Sequence, residues 1–422
     1  MTLSLVLPLV LSFSLSLVFV ASRELHLLDM KRKPSNPCSS TAIFELHGNV
    51  YPEGFYYVTV EIGNPPKPYF LDIDSGSDLT WLQCDAPCVS CSPNLPHPLY
   101  KPKKQNIVKR DDADCLNLQF PRRYRRKNPE DQCDYHIVYA DGDSSLGVLV
   151  HDSFSLFLSN GSKLRPDLAI GCGYDQRGDF LSTLPKGDGV LGMGGGKISI
   201  PSQLRNLRLT TNLIGHCFGG NGGGYIFFGD EIIPGGVTWA PLTQALPFGS
   251  YSPGPANLTA GKSSPTVDGL TVVFDSGSTY TYFSGRAYEA VLASVEIDIT
   301  GKFTLSEDDD TLPLCMKGSR PFKNVAEVEN YFSSFELSFG KETQLTIPPE
   351  GYLIISSQGN VCLGVLNGTE FGLTDHNIFG DVSMQNLMVI YDNEKQRIGW
   401  IPSECNKISS LPCSSLEVEH LT

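Results

Sequence analysis

Basic charge is what this 422-residue chain is short of: Lys and Arg number 32 against 46 Asp and Glu, a formal net charge of −14. Such a balance, with a sequence pI near 5.0, repels polyanions and argues against a nucleic-acid partner. Self-repulsion falls as carboxylates protonate, so the composition suits an acidic compartment, and it equally serves plain solubility. Charged residues make up only 18% and apolar residues 41%, which argues against disorder for most of the chain. No apolar tail closes the sequence, so a C-terminal lipid-anchor signal is not expected. Helical periodicity is also scarce. One stretch follows Ser284, with Ala287, Ala290, Val291, Ser294 and Val295 on one face; a second follows Asn324, with Val325, Val328 and Phe332.

What is present is β-patterned. The chain exceeds what one hydrophobic core usually serves, so two core units of about 150 to 200 residues are expected. Leu3 to Val20 form an apolar, serine-rich run, ending in Ala21-Ser22 before the first charges, Arg23 and Glu24. It reads as a secretory signal over 1–22, although no basic residue precedes it; its length would also span a bilayer uncleaved. Residues 23–45, with Lys31-Arg32-Lys33, read as a mobile leader or a short pro-segment whose cations pair with an acidic cleft. The twelve cysteines fit disulfides in an oxidising compartment. The sequons at Asn160, Asn257 and Asn367 are then open to glycosylation.

From Phe55 on, Tyr56, Val58, Val60 and Ile62 alternate, Gly63-Asn64-Pro65-Pro66 turns, and Tyr69, Leu71 and Ile73 alternate again, a hairpin delivering Asp74 at a strand end. Residues 84–133 read as loop, holding Cys84, Cys88, Cys91, Cys115 and Cys133 and the basic tract Arg122 to Lys127. Disulfides suit these cysteines in a secreted chain; a zinc site on Cys84, Cys88, Cys91 and Cys115 is the alternative. The tract reads as a solvated loop, with an anionic partner or a trypsin-like cleavage point as alternatives. Gln132 to Val150 reads as a hairpin whose strand ends at Tyr139 and whose tip is Asp141 to Ser145, either an ordinary surface hairpin or a lid over a cleft.

One motif occurs twice. Asp74-Ser75-Gly76-Ser77 follows the apolar Tyr69 to Ile73, and Asp275-Ser276-Gly277-Ser278 follows Thr271 to Phe274. Each is followed, at a similar offset, by an apolar-apolar-glycine element, Val190-Leu191-Gly192 and Ile378-Phe379-Gly380. A single Asp-Ser-Gly is an ordinary turn. Two copies, each trailed by the same kind of strand end, form a repeat at domain scale. A rough two-fold axis through the turns would bring Asp74 and Asp275 face to face. Two carboxylates about 3 Å apart repel by roughly 5 kcal/mol at an effective dielectric of 20, so they would share a proton. One ionised and one protonated carboxyl can activate water as general base and protonate a carbonyl oxygen as general acid. No cofactor or metal is needed for that.

These turns, with Trp81, the Tyr139 hairpin and the GVLGMG and NIFGD elements, resemble the pepsin-like aspartic peptidases from about Tyr51 to Pro402. DIDSGSDLTWLQCDAPC and YADGDSSLGVLV are similar to the plant nucellin-like group. The resemblance implies a mostly β, bilobal fold with two pseudo-two-fold related lobes, a few short helices and a cleft for an extended polypeptide. An N-terminal lobe is expected over 46–232 and a C-terminal lobe over 233–405, with a linker near Gly229 to Leu242, where Pro234-Gly235-Gly236 interrupts the strands, and a tail over 406–422. Asp74 and Asp275 would hold the catalytic water. Ser77 and Ser278 would hydrogen-bond their carboxylates, and Ser75 and Ser276 would join the lobes. Gly76 and Gly277 complete the two turns. Tyr139, Asp141 and Gly142 would sit on a mobile flap over the substrate, braced by Trp81. Cys315 would pair with Cys362.

The chain departs from the family pattern in places. Serine stands at 75 and 276 where many members have threonine, keeping the hydroxyl without the stiffening methyl. Asp143 replaces a small neutral residue and would add a carboxylate near the cleft. Lys109-Arg110-Asp111 stands where the group often has a cysteine, and a long saposin-like insertion is absent, unlike the typical vacuolar plant form. The resulting expectation is an acid endopeptidase of the secretory pathway, apoplastic or vacuolar, monomeric, and membrane-bound only if its N-terminal run stays uncleaved. The alternative is a binding or inhibitor protein on the same scaffold.

Overall fold

The computed structural model describes residues 41–119, 128–178, 187–243, 250–261, 266–340, 343–374 and 376–407. The apolar run Leu3 to Val20, the Lys31 to Lys33 triplet, the Arg122 to Lys127 tract and most of the tail lie outside them.

Alternation decides the first hairpin. Tyr56, Val58, Val60 and Ile62 are buried along the strand Phe55–Ile62, which runs antiparallel to Lys67–Asp74 with Val58 opposite Leu71. Leu71 and Ile73 are fully buried, each contributing about 2 kcal/mol of apolar transfer energy, and their period of two turns Asp72 and Asp74 to the other face. A preceding strand, Ala42–Asn49, pairs with Gly224–Phe228 and with Phe55–Ile62. The sheet therefore begins inside the segment read as a leader, because Ala42, Phe44 and Leu46 alternate into the core.

The two halves repeat one strand arrangement. Lys67–Asp74 runs parallel to Gly189–Gly192, with Asp74 opposite Gly192; Val267–Phe274 runs parallel to Asn377–Phe379. Trp81–Gln83 is antiparallel to Gly189–Gly192 and parallel to Asp167–Arg177. Its counterpart Thr281–Phe283 is antiparallel to Asn377–Phe379 and parallel to Val365–Asn367. Each acidic turn thus leaves the end of a strand clamped in the middle of a sheet.

Beneath the turns the halves share a sheet. Leu213–Phe218 pairs with Leu387–Asp392, which pairs with Arg397–Pro402, which pairs with Thr238–Pro241. The stretch Gly229 to Leu242 is therefore not purely linker, since Thr238–Pro241 is one of its strands. A disulfide between Cys217 and Cys405 closes this floor.

Helices are few. Arg286–Ile299 buries Ala287, Ala290, Val291, Ser294 and Val295, the face read from the sequence. The stretch after Asn324 differs: it forms two 3-10 turns, Val325–Glu327 and Glu329–Tyr331, broken at Val328 (φ −125°). Val325 and Val328 are three residues apart, a spacing that serves a three-residue turn as well as an α-helix. Two short first-half helices, Ala113–Leu118 and Ile200–Asn206, were not anticipated; Asp112 caps the first by accepting from the Asp114 N–H. The remaining described residues of 84–133 are mostly irregular and are pinned by Cys84–Cys172, Cys88–Cys91 and Cys115–Cys133. All four cysteines of the alternative zinc reading are consumed in these bonds. Cys315 pairs with Cys362 across adjacent strands, as the resemblance implies.

Candidate active site

The two acidic turns meet. Ser75 N–H donates to Ser276 Oγ and Ser276 N–H to Ser75 Oγ, each at 2.9 Å, while Ser75 Oγ donates to the Phe274 carbonyl (3.3 Å) and Ser276 Oγ to that of Ile73 (3.0 Å). This reciprocal clasp needs only the hydroxyl, so serine fills the role geometrically at both positions. It brings the Asp74 and Asp275 carboxyls into a hydrogen bond with each other. Glycine is required beside them. A Cβ on Gly76 would lie 2.7 Å from Asp275 Oδ1, and one on Gly277 would lie 2.7 Å from Asp74 Oδ1.

The two carboxyls are not equivalent. Asp74 Oδ1 accepts from the Gly76 N–H at 2.7 Å, and Oδ2 accepts from Ser77 Oγ. Asp275 Oδ1 accepts from the Gly277 N–H at 3.0 Å. Ser278 does not match Ser77: its hydroxyl donates to the Tyr280 carbonyl at 3.1 Å rather than to Asp275. The C=O two residues on lies within reach of the turn and captures it. Burial raises the pKa of both aspartates. For Asp74 the Ser77 and Gly76 donors work against the rise, whereas for Asp275 the neighbouring Asp74 charge adds to it. The hydrogen-bond donors thus favour charge on Asp74, and a shared proton is favoured on Asp275.

The hairpin expected to serve as a flap is formed by Asp134–Val138 and Ser144–Ser153, closed where Tyr139 N–H donates to the Asp143 carbonyl at 2.8 Å. Trp81, fully buried, donates its indole N–H to Tyr139 Oη at 2.7 Å, and the phenol also hydrogen-bonds with Ser77. Tyr139 is thereby linked to the Asp74 side of the dyad. Asp141 and Gly142 sit exposed at the tip, and the Asp141 charge is felt by Tyr282 in the second half. Asp143 does not add its carboxylate to the cleft as expected. It is buried against Gly178, where a Cβ would lie 1.9 Å from its Oδ1, because it closes the turn onto the neighbouring strand.

Two further acids went unnoticed in the sequence. Asp72 lies on the same strand face as Asp74, and Asp381 is buried at 1% exposure after the Asn377–Phe379 strand. Burial first, then Asp74 and Asp275, push Asp72 well above the carboxylate range; Asp381 is raised by burial, then by Asp72 and the dyad. Their Oδ1 atoms have no hydrogen-bond partner among the described residues. The period of two through Leu71 and Ile73 pointed to Asp72, and NIFGD contained Asp381. Asp78, accepting from the Gly196 N–H at 2.8 Å, is raised by burial to about 6 and fixes the glycine-rich stretch beside the first turn.

Away from the cleft, Asn160 and Asn257 are exposed, and half-buried Asn367 gives its amide to Glu370 Oε1 at 2.8 Å.

Two family profiles, described as xylanase inhibitor N-terminal and xylanase inhibitor C-terminal, match residues 56–230 and 257–402. An aspartic proteinase of rice (Oryza sativa subsp. japonica) is 43% identical over 386 residues, covering 88% of this chain and 93% of that one. The chain belongs to the pepsin-like aspartic protease family. Aspartic proteinase 36 of Arabidopsis thaliana is a more distant member, 28% identical over 377 residues, covering 84% of this chain and 74% of its own. Among solved structures, soybean basic 7S globulin superposes with a TM-score of 0.67 at 17% identity, covering 88% of this chain and 99% of that chain. The aspartic proteinase from Irpex lacteus superposes at 0.62 with 17% identity and the same coverages. At such identity these two speak for the pepsin fold alone.

Proposed function

We propose that the protein is an aspartic endopeptidase that hydrolyses peptide bonds of extended polypeptides at acid pH. The observation that carries this reading is the pair Asp74 and Asp275, hydrogen-bonded to each other within the Ser75 and Ser276 clasp. Asp74, ionised and supported by Gly76 and Ser77, takes a proton from the attacking water. Asp275, protonated, donates to the carbonyl oxygen of the scissile bond as that oxygen gains charge. Water attacks directly, and no covalent enzyme intermediate forms. Tyr139, braced by Trp81, closes over the peptide and excludes bulk water. The acid compartment, the secretory route, the monomeric state and the nucellin-like likeness belong to the same proposal and rest on sequence.

The test is cleavage of a denatured protein between about pH 3 and 5, with and without pepstatin. Pepstatin-sensitive fragments support the reading; full activity in an Asp275→Asn variant would sink the mechanism. A second reading, a binding or inhibitor protein on this scaffold, is favoured by the match to the xylanase inhibitor family profiles. Purified protein that cleaves no peptide at any acid pH, yet retains a partner protein from a binding assay, would favour that reading instead.

A further inference from the structure

We propose that His216 is a positioning residue, acting through Tyr391 on the Ser75 hydroxyl that joins the two acidic turns. The inference rests on the peptidase reading and adds to its machinery a residue from the sheet shared by the two halves.

His216 occupies the middle of Leu213–Phe218, in the sheet shared by the two halves, and is fully buried. Its ring stacks on Phe218 at 4.3 Å. Its Nε2 lies 2.9 Å from Tyr391 Oη, while Nδ1 has no hydrogen-bond partner among the described residues. Tyr391 Oη donates to Ser75 Oγ at 3.4 Å. Ser75 Oγ in turn accepts the Ser276 N–H and donates to the carbonyl of Phe274, the residue before Asp275.

Nδ1 settles the direction of this chain. A buried N–H without an acceptor costs more than a lone pair without a donor, so the proton sits on Nε2. His216 then donates to Tyr391, Tyr391 to Ser75, and Ser75 to Phe274. Three hydrogen bonds run one way, from the shared floor to the strand end that carries the second aspartate. The neighbouring Tyr251, 4.2 Å from Tyr391, does not compete, since its hydroxyl donates to the Met193 carbonyl and accepts from Asn393. Burial holds the imidazole neutral, its pKa lowered to about 3, so the chain keeps its direction where the dyad shares a proton. For packing alone, an apolar ring would fill this place without burying an unpaired nitrogen.

The ionisable groups felt by Tyr391 are Tyr251, Asp275 and Asp381, so the phenol at the centre of the chain senses the dyad. A serine at position 75 is also freer to rotate than threonine. The incoming Tyr391 hydroxyl supplies the restraint that the missing methyl would have given.

The experiment compares wild type with Tyr391→Phe, His216→Leu, His216→Gln and the double variant His216→Leu/Tyr391→Phe on one peptide substrate, reading kcat and KM separately alongside Tm. Each single loss of the chain should lower kcat about ten-fold with KM within about two-fold of wild type. The double variant should be no worse than the poorer single one, because both interrupt the same chain. Gln, which keeps a donor, should restore most of kcat. Unchanged kcat in Tyr391→Phe, losses that multiply in the double variant, a Gln variant as poor as Leu, or losses explained by the fraction unfolded at the assay temperature each overturn the proposal. Wild type that cleaves nothing overturns the peptidase reading instead, and is seen before any variant is made.

Discussion

The first acidic turn and the second are the same backbone carrying different chemistry. Both end a central strand, both are gripped by a serine from the other half, and both need glycine where the opposite carboxyl arrives. Around Asp74, however, Ser77, Tyr139 and Trp81 form a hydrogen-bonded column. Around Asp275 the matching Ser278 turns away to Tyr280. The comparison teaches that duplication supplies the geometry of a dyad, and that departure from symmetry supplies its division of labour. Equal carboxyls would compete for one proton; unequal ones assign it.

That difference can be broken or sharpened by substitution. The largest effect is expected from Asp275→Asn, which removes the acid and leaves Asp74 without its partner: at least about a thousand-fold loss of kcat, read in a peptide cleavage assay. Ser77→Ala should come next, about ten- to a hundred-fold in kcat, since a hydrogen bond to a charged carboxylate is lost. Because that bond holds the Asp74 pKa down, its removal should move the acid limb of the pH profile to higher pH. Ser278→Ala is the symmetrical control and should change kcat by less than about two-fold, as its hydroxyl does not meet the dyad. If the two serine variants behave alike, the proposed asymmetry is wrong.

The smallest effect concerns stability. Asp72, Asp78, Asp275 and Asp381 all have pKa values raised by burial. A carboxyl whose folded pKa is raised leaves the unfolded state losing protons first as pH climbs, so stability is full below the unfolded pKa near 4 and falls as pH rises towards the raised values. His216, lowered to about 3, works the other way over this range, but it is one group against four; with Asp78 raised to about 6, thermal melts should show a net Tm drop between about pH 4 and 6. Asp381→Asn should flatten the drop by removing one such group. A Tm that rises with pH across this range would contradict the charge distribution described.

Most of this architecture was legible because it is periodic or repeated. The two turns, their offset glycine elements, the first hairpin and the Arg286–Ile299 helix face all follow from spacing, and the structure contains each. What was not legible depends on which of several nearby partners a short side chain chooses. Nothing in Asp275-Ser276-Gly277-Ser278 distinguishes a hydroxyl aimed at Asp275 from one captured by the Tyr280 carbonyl. Asp143 likewise could serve cleft or turn, and only its packing on Gly178 decides. His216 could not be seen as more than a buried histidine, because the strands that place it beside Tyr391 are far apart in sequence.

The shared floor also sets an order in time. During synthesis the second acidic turn leaves the ribosome well before Leu387–Asp392 and Arg397–Pro402, the strands that complete the sheet under both turns, and before Cys405, which bonds to Cys217. A growing chain therefore holds both aspartates while the platform that aligns them is still unmade. On the proposed reading, the acidic pair has its full support only once these late strands are in place.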